Sequence, residues 1–209
     1  MSGSFVVGVL ALQGAFRAHE RALARIGVDT LEVRTPQQLA EVGAIVLPGG
    51  ESTTMSKLLV TSGLLGPLGD ALRAGLPAFG TCAGLIMLAD TILDGRGDET
   101  PLGALDVSVR RNAYGRQRDS FERDIDVVGL DAPFRAVFIR APRIERVGAG
   151  VEVLASCDDV PVLVRSGDVW AASFHPELTD DARIHAAFVH GVAAATSVHG
   201  VAAATGKGR

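Results

Sequence analysis

Cys82 is the residue of this chain whose surroundings most strongly indicate chemistry. It is the central residue of GTCAG at 80–84, which follows a short apolar run and precedes an apolar stretch of helical character. That succession predicts a strand, a sharp turn and a helix, the arrangement called a nucleophile elbow. Free N–H groups at the start of the helix, that of Ala83 first, would favour a thiolate and stabilise an oxyanion. The pattern indicates a nucleophile, and a buried core cysteine is the alternative that it leaves open.

A candidate base with its own orienting group lies near the other end of the chain. His175 follows an apolar run at 169–174, and Glu177 comes two residues later. Residues two apart share one side of an extended chain, so we expect the carboxylate of Glu177 beside the ring of His175. Cys82, His175 and Glu177 together make a nucleophile, a general base and an orienting carboxylate.

Three further segments could bind a small ligand. The turn PGGEST at 48–53 follows a predicted strand, but it lacks the Gly-Lys-Ser/Thr end of the phosphate-binding Walker motif. Glu51 also favours a neutral or amine-bearing ligand over an anion. Ser52 or Thr53 is expected to cap the helix that follows. Arg111 and Arg140 each stand at the end of a predicted strand, where they could hold a carboxylate or be ordinary surface groups.

The elements that would position these groups alternate between strand and helix. Apolar runs at 5–12, 30–34 and 44–47 predict strands, and the spacing at 15–26 predicts a helix. This alternation favours an α/β fold with a three-layer, doubly wound mixed sheet. In the second half, six more strands are predicted, mainly as antiparallel additions to the same sheet: 102–111, 124–130, 136–140, 151–157, 160–165 and 169–174. A last helix is expected from Asp180 to about Val192.

Composition excludes several classes of protein. The chain has 209 residues, a net charge of −4 and two distant cysteines, so we expect one domain over 1–196, no nucleic-acid or membrane partner, and a cytoplasmic location. His185 and His190 are spaced five apart, a poor metal pair, and no metal site is expected. The tail at 197–209, which carries a repeat of HGVAAAT, is expected to be disordered and without a catalytic role.

Six segments together resemble the class I (triad) glutamine amidotransferases, and among them the glutaminase subunits of pyridoxal 5′-phosphate synthases. They occur in the family's order: LALQGA at 10–15, LPGGESTT at 47–54, FGTCAGL at 79–85, RNAYGRQ at 111–117, FIRAP at 138–142 and SFHPELT at 173–179. The resemblance implies the family's flavodoxin-like fold. It also implies hydrolysis of L-glutamine to L-glutamate and ammonia, without a cofactor, in vitamin B6 biosynthesis.

The resemblance also assigns roles to individual residues. Cys82 would attack the amide, His175 would move the proton, and Glu177 would hold His175. The backbone N–H groups of Gly50 and Ala83 would form the oxyanion hole. The glutamine-binding positions would be Gly50, Glu51, Ser52, Arg111, Ile139 and Arg140.

The implied partner is a synthase subunit of the (β/α)₈ barrel type, in a large hetero-oligomer that receives the ammonia. Gln13 would couple docking of that partner to the oxyanion hole. One departure is Ala18 on the first, partner-facing helix, where relatives carry an acidic residue before the histidine equivalent to His19.

Other functions stay open at this point. The chain could be a glutaminase that serves another synthase, a free-standing cysteine hydrolase, or a non-catalytic scaffold subunit. RNAYGRQ and FIRAP speak against the first two, and the presence of all three triad residues speaks against the third. The polar loop at 112–121 is either a lid or a solvated connection.

Overall fold

A computed structural model describes residues 5–97, 99–111 and 120–204 of the chain. The first half alternates strands with helices, as the sequence predicted. Its elements are β1 (Val6–Leu10), α1 (Phe16–Arg25), β2 (Asp29–Val33), α2 (Pro36–Leu39), β3 (Ala44–Leu47), α3 (Ser52–Thr61), α4 (Leu65–Arg73), β4 (Ala78–Thr81) and α5 (Ala83–Leu88).

The second half consists mainly of strands and ends in a long helix. Its elements are β5 (Ala89–Ile92), β6 (Leu105–Arg110), β7 (Phe121–Ile125), β8 (Phe134–Phe138), β9 (Arg143–Val147), β10 (Glu152–Cys157), β11 (Val160–Ser166), β12 (Val169–Ala172), a 3₁₀ turn at Pro176–Leu178 and α6 (Arg183–Ala204).

The main sheet has seven strands in the order β10-β11-β12-β4-β3-β1-β2. Strands β12, β4, β3, β1 and β2 are parallel to one another, and β11 and β10 extend the sheet beyond β12 in antiparallel fashion. The predicted mixed, doubly wound sheet is therefore confirmed. Its topology places β3, β4 and β12 side by side, so the loops that follow these three strands meet at one edge of the sheet.

Both faces of the sheet are covered because successive side chains of a strand point to opposite sides. In β3, Val46 belongs to an apolar cluster with Leu23 of α1 and Phe188 of α6, whereas Leu47 packs in a second cluster with Met55 of α3. Helices α1 and α6 thus cover one face, and α3, α4 and α5 cover the other. This explains why the strand sequences are continuous apolar runs rather than alternating ones.

The prediction that the six strands of the second half join the main sheet is wrong for three of them, those that correspond to β6, β7 and β8, and strands β5 and β9 were not predicted. Strands β5, β6 and β9 form a separate three-stranded sheet, and β7 pairs only with β8. The small sheet packs through Val107 and Ile144 on Leu85 of α5, so its apolar face is buried without joining the main hydrogen-bond ladder. Alternating apolar residues specify that a strand has a buried face, and they do not specify which sheet supplies the cover.

The last helix, α6, continues past the predicted end near Val192 to Ala204. Residues 205–209 lie outside the described part of the chain, and the division into a domain at 1–196 and a disordered tail stays a prediction. Most of the 112–121 loop, with Tyr114, also lies outside the described residues. Within the described ranges, no helix combines the length and apolarity that a membrane span requires.

Candidate active site

A cavity of about 450 Å³ opens at the carboxyl edge of the main sheet, where the loops after β3, β4 and β12 meet. Thirteen residues line it, and they come from segments far apart in the sequence: Gly14, Ala15, Gly49, Gly50, Glu51, Ser52, Cys82, Ile86, Arg111, Ile139, Arg140, His175 and Leu178. All the predicted substrate-binding residues, and two of the three predicted catalytic residues, therefore face one space.

Cys82 occupies the sharp turn between β4 and α5. Its backbone has φ 50° and ψ −101°, a conformation that residues with a Cβ rarely adopt. The turn closes because Gly84 packs against the carbonyl oxygen of Leu47, where a Cβ would collide with the backbone. The backbone N–H of Cys82 donates to the carbonyl of Ala172 at 2.8 Å, which ties the turn to β12. The elbow predicted from GTCAG is thus present, and it directs Cys82 into the cavity.

His175 is held at the end of β12 by backbone and side-chain contacts. Its N–H donates to the carbonyl of Val137 at 2.9 Å, and its ring Nδ1 lies 2.7 Å from Glu177 Oε1. The predicted contact exists, but the reason given for it is wrong. Glu177 belongs to the 3₁₀ turn at Pro176–Leu178, so the carboxylate returns to the ring by a tight turn rather than along an extended chain.

The electrostatics of the site favour a charged imidazole. Burial lowers the pKa of His175, but hydrogen bonding and electrostatic attraction with Cys82 and Glu177 outweigh burial and raise the pKa to about 10. Burial also opposes ionisation of Glu177, yet attraction by His19 and the hydrogen bond with His175 bring the pKa of its carboxyl below the usual value. At neutral pH the ring is therefore an imidazolium between a carboxylate and the thiol.

The candidate oxyanion hole combines two backbone positions beside Cys82. Ala83 opens α5, so its N–H is among the N-terminal donors that have no acceptor within the helix. Gly50 lies in the cavity wall on the loop after β3. Gly49, next to it, must be glycine because a Cβ there would collide with the ring of His175.

Comparisons with known proteins identify the family to which this geometry belongs. The SNO glutamine amidotransferase family matches residues 9–194, nearly the whole chain. The chain belongs to this family. The pyridoxal 5′-phosphate synthase subunit PdxT of Mycobacteroides abscessus is 57% identical over 189 residues, which cover 90% of this chain and 98% of the relative. PdxT of Frankia alni is 54% identical over 192 residues, 91% of this chain and 96% of the relative.

Solved structures agree with this assignment. A crystal structure described as a glutamine amidotransferase is 50% identical to this chain and has a TM-score of 0.85. The match covers 90% of this chain and 98% of the other. A protein of Thermoplasma acidophilum, described as a putative GMP synthase component, is only 19% identical but has a TM-score of 0.69 over 95% of this chain and 99% of its own. The second match shows a shared fold alone, and both agree with the fold predicted from the sequence.

In this glutamine amidotransferase, Glu51 both faces the cavity and caps the N-terminus of α3. Its carboxylate accepts hydrogen bonds from the backbone of Thr53 at 3.2 Å and of Thr54 at 2.7 Å. Burial opposes its ionisation, but these bonds and those from the two threonine hydroxyls lower the pKa of Glu51 to about 2. The prediction that Ser52 or Thr53 caps this helix is therefore wrong, since Glu51 does so.

Arg111 is held in the cavity wall by two carboxylates. Its Nη1 donates to Glu99 Oε2 at 2.7 Å, and its Nη2 lies 3.6 Å from Glu51 Oε1. The side chain of Glu99 is completely buried, although nothing in its local sequence marked it as part of the site. Arg140, in contrast, is exposed at the cavity rim after β8, with φ 44°. The two arginines predicted at strand ends therefore differ, one fixed by Glu99 and the other facing solvent.

Gln13 packs against the loop that carries Gly50. Its Oε1 accepts a hydrogen bond from the N–H of Glu51 at 3.3 Å, while its Nε2 is buried without a hydrogen-bond partner among the described residues. A Cβ on Gly50 would meet this amide at about 2.5 Å, so the two residues are in close contact. Gln13 is thus placed to control the position of the Gly50 N–H.

Sequence reasoning missed a layer of histidines behind the triad. His19 of α1 and His185 of α6 are completely buried, and His19 lies 3.5 Å from Glu177. Ala18, the departure noted on the first helix, is also buried. His185, which the sequence excluded from a metal pair with His190, is thus a buried core residue. No group of three or more potential ligand side chains suited to a metal ion occurs in the described ranges.

Proposed function

We propose that this chain is the glutaminase subunit of a pyridoxal 5′-phosphate synthase, in which Cys82, His175 and Glu177 hydrolyse L-glutamine to L-glutamate and ammonia. The observation that carries the mechanism is the imidazole of His175, which lies 2.7 Å from Glu177 and faces the same cavity as Cys82. Family membership and relatives named PdxT, which match nearly the full chain, support the substrate and the pathway.

The cavity offers complementary charge to each end of free glutamine. Arg111 and Arg140 bind the α-carboxylate, and Glu51, ionised because of its low pKa, binds the α-ammonium. Gly50, Ser52 and Ile139 complete the wall around the aliphatic chain. Because both ends of the amino acid are recognised, amides that lack the α-carboxylate or the α-ammonium leave these charges unpaired and are rejected.

Acylation uses the thiolate and imidazolium pair. The Cys82 sulfur attacks the δ-carbon of glutamine, and the carbonyl π electrons move to oxygen, where the N–H groups of Gly50 and Ala83 stabilise the negative charge. When the tetrahedral intermediate collapses, the C–N bond breaks and His175 gives its proton to the leaving nitrogen. The products of this half are ammonia and a γ-glutamyl thioester.

Deacylation reverses the proton transfer. His175, now neutral, takes a proton from water as the water oxygen attacks the thioester carbon. The C–S bond then breaks, glutamate leaves, and the thiolate and imidazolium pair is restored. Glu177 keeps the ring oriented and stabilises its positive charge in both halves, as the carboxylate of a catalytic triad does.

The ammonia passes to a synthase subunit, which we propose is a (β/α)₈ barrel in a large cytoplasmic hetero-oligomer. Gln13 couples docking to catalysis because its side chain contacts the Gly50 loop. Its buried, unpartnered amide nitrogen supports this role, since an unsatisfied donor leaves a polar group ready to change partner on docking. The reaction requires no cofactor.

The test is glutamate release from L-glutamine by the full chain, alone and with the synthase subunit of the same organism. Cys82→Ala is the blank. Release that rises when the synthase subunit is added, and that disappears in the variant, is expected. High release that the synthase subunit does not change would point to a free-standing hydrolase. No release in either condition would favour a scaffold subunit, and either result would overturn the proposal.

A further inference from the structure

The carboxylate of Glu177 has one oxygen that the triad does not use. Oε1 is 2.7 Å from His175, whereas Oε2 is buried and makes no hydrogen bond of normal length among the described residues. The Nε2 atom of His19 lies 3.5 Å from Oε2, and both side chains are fully buried. At that distance the contact is electrostatic rather than a normal hydrogen bond, so the direction of the N–H dipole determines its sign.

His19 is part of a polar cluster that connects three elements. Its Nδ1 lies 3.0 Å from His185 Nε2 in α6, and its Nε2 lies 3.1 Å from the hydroxyl of Thr81, the last residue of β4. Thr81 immediately precedes Cys82. The Phe79 ring makes T-shaped contacts with both histidines. The cluster therefore supports both the nucleophile turn and the triad carboxylate from behind.

Both histidines of the cluster are neutral. Burial lowers the pKa of His19; Glu177 opposes that effect and His175 adds to it. Burial, together with His19 and Arg25, lowers the pKa of His185 to about 3 against the attraction of Glu177. A neutral imidazole has one donor and one acceptor nitrogen, so the pair has two possible proton arrangements.

One arrangement fits the surroundings and the other does not. If His185 Nε2–H donates to His19 Nδ1, then His19 Nε2–H points to Thr81 and to the Glu177 carboxylate. The reverse arrangement directs a lone pair of His19 at the carboxylate. It also leaves a buried N–H on His185 Nδ1, an atom that has no hydrogen-bond partner among the described residues. An orphaned donor and a repulsive contact both cost free energy, so the first arrangement is favoured.

We propose that His19 is a positioning residue for the glutaminase reaction: it is fixed by His185 as the Nε2–H tautomer and holds the Glu177 carboxylate in the orientation that supports His175. His19 does not line the cavity, so it touches neither glutamine nor the reacting atoms. Its role is to keep Glu177 ionised and in place by presenting an N–H dipole to Oε2. This role rests on the proposed glutaminase function, but the tautomer does not.

The tautomer is tested directly on the full wild-type chain labelled with ¹⁵N-histidine. Long-range ¹H–¹⁵N NMR spectra distinguish Nδ1–H, Nε2–H and charged rings by their nitrogen shifts. His19 and His185 are expected as neutral Nε2–H rings from pH 7 to 9, assigned with the variants His19→Gln and His185→Gln. An Nδ1–H or charged His19 would overturn the proposal. Because this readout needs no turnover, it stands even if the glutaminase assay gives no release.

The kinetic test compares variants of this chain in complex with the synthase subunit. His19→Leu removes the dipole, and kcat is expected to fall about tenfold with KM unchanged, because His19 acts on Glu177 and not on glutamine. A tenfold effect corresponds to about 1.4 kcal/mol. The acid limb of the kcat profile is expected to move about one unit to higher pH, because Glu177 is easier to protonate. His19→Gln, whose amide N–H reaches the same region, is expected to restore most of both.

His190→Gln is the matched control, because His190 is an exposed histidine of the same helix as His185. Wild-type kcat and pH profile are expected. A folded His19→Leu protein with the wild-type acid limb would overturn the proposal, whether or not kcat falls, since a merely structural role changes activity without changing that ionisation. Failure of His19→Gln to recover the acid limb would overturn it as well.

Discussion

Replacing Cys82 with alanine is expected to lower the pKa of His175. The pKa is raised from 6.5 to about 10 by Cys82 and Glu177 together, against burial. Cys82→Ala removes the first of these partners and leaves the second at 2.7 Å. An opposite charge within a few ångströms is worth about 1–3 pKa units, so we expect the pKa to fall by about 1–2 units and to stay above 6.5.

The same change has a consequence for folding. Because the pKa of His175 is higher in the folded chain than in the unfolded one, its protonation stabilises the fold fully below pH 6.5, and the contribution is lost as pH rises through about 10. In Cys82→Ala this loss is expected to begin at lower pH. Each unit by which the pKa falls removes about 1.4 kcal/mol from the contribution at neutral pH.

The assay is an NMR titration of the ¹⁵N-labelled imidazole of His175 in the full chain, with urea unfolding at several pH values as the second measurement. Cys157→Ala is the matched control, because Cys157 is also a buried free cysteine but lies in β10, outside the cavity. The control is expected to titrate like the wild type. An unchanged His175 titration in Cys82→Ala would refute the coupling of thiol and imidazole on which the mechanism depends.

Three further changes test the cavity and the turn. Arg140→Ala is expected to raise the KM for glutamine about tenfold or more and to leave the unfolding free energy unchanged. The reason is the loss of charge-assisted hydrogen bonds to the substrate, worth about 1.5–3 kcal/mol. An unchanged KM would show that this side chain does not bind glutamine. Glu51→Ala is expected to lower the unfolding free energy by about 0.5–2 kcal/mol through loss of the helix cap, measured by urea denaturation, and to raise the KM as well. Gly84→Ala is expected to destabilise the fold by about 1–3 kcal/mol, because the added methyl group meets the carbonyl of Leu47. Gly66→Ala is the control: it has open space around it and should be neutral or slightly stabilising. Equal midpoints of the two variants in thermal denaturation would contradict the packing described for the elbow.

The sequence predicts well those features that depend on neighbours along the chain. The apolar runs mark β1, β3 and β4, and the GTCAG pattern marks the turn at Cys82 because only glycines allow that backbone approach. The strand ends then predict which loops meet at one edge. For these features, local residue pattern and sheet geometry together suffice.

Features that depend on tertiary contacts are not visible in the sequence. Glu99 contacts Arg111 from a segment without any motif, and His19 meets His185 across more than 160 positions. Strands β6, β7 and β8 were assigned to the main sheet, because a half-buried strand has the same pattern whichever layer covers it. Glu51 shows the same limit at shorter range. Ser52 and Thr53 are equally good capping residues by type, and only the fold determines which side chain caps α3.

The position of β12 in the sheet has a consequence for the newly made protein. Strand β4 lies between β3 and β12, although residues 169–172 are synthesised long after residue 81. Until then, β4 is an open edge with unpaired backbone groups, and the thiol of Cys82 stands beside it without its histidine. Open edges of this kind promote aggregation. On the ribosome, the nucleophile therefore lacks both its neighbouring strand and its histidine until residues 169–175 have been synthesised.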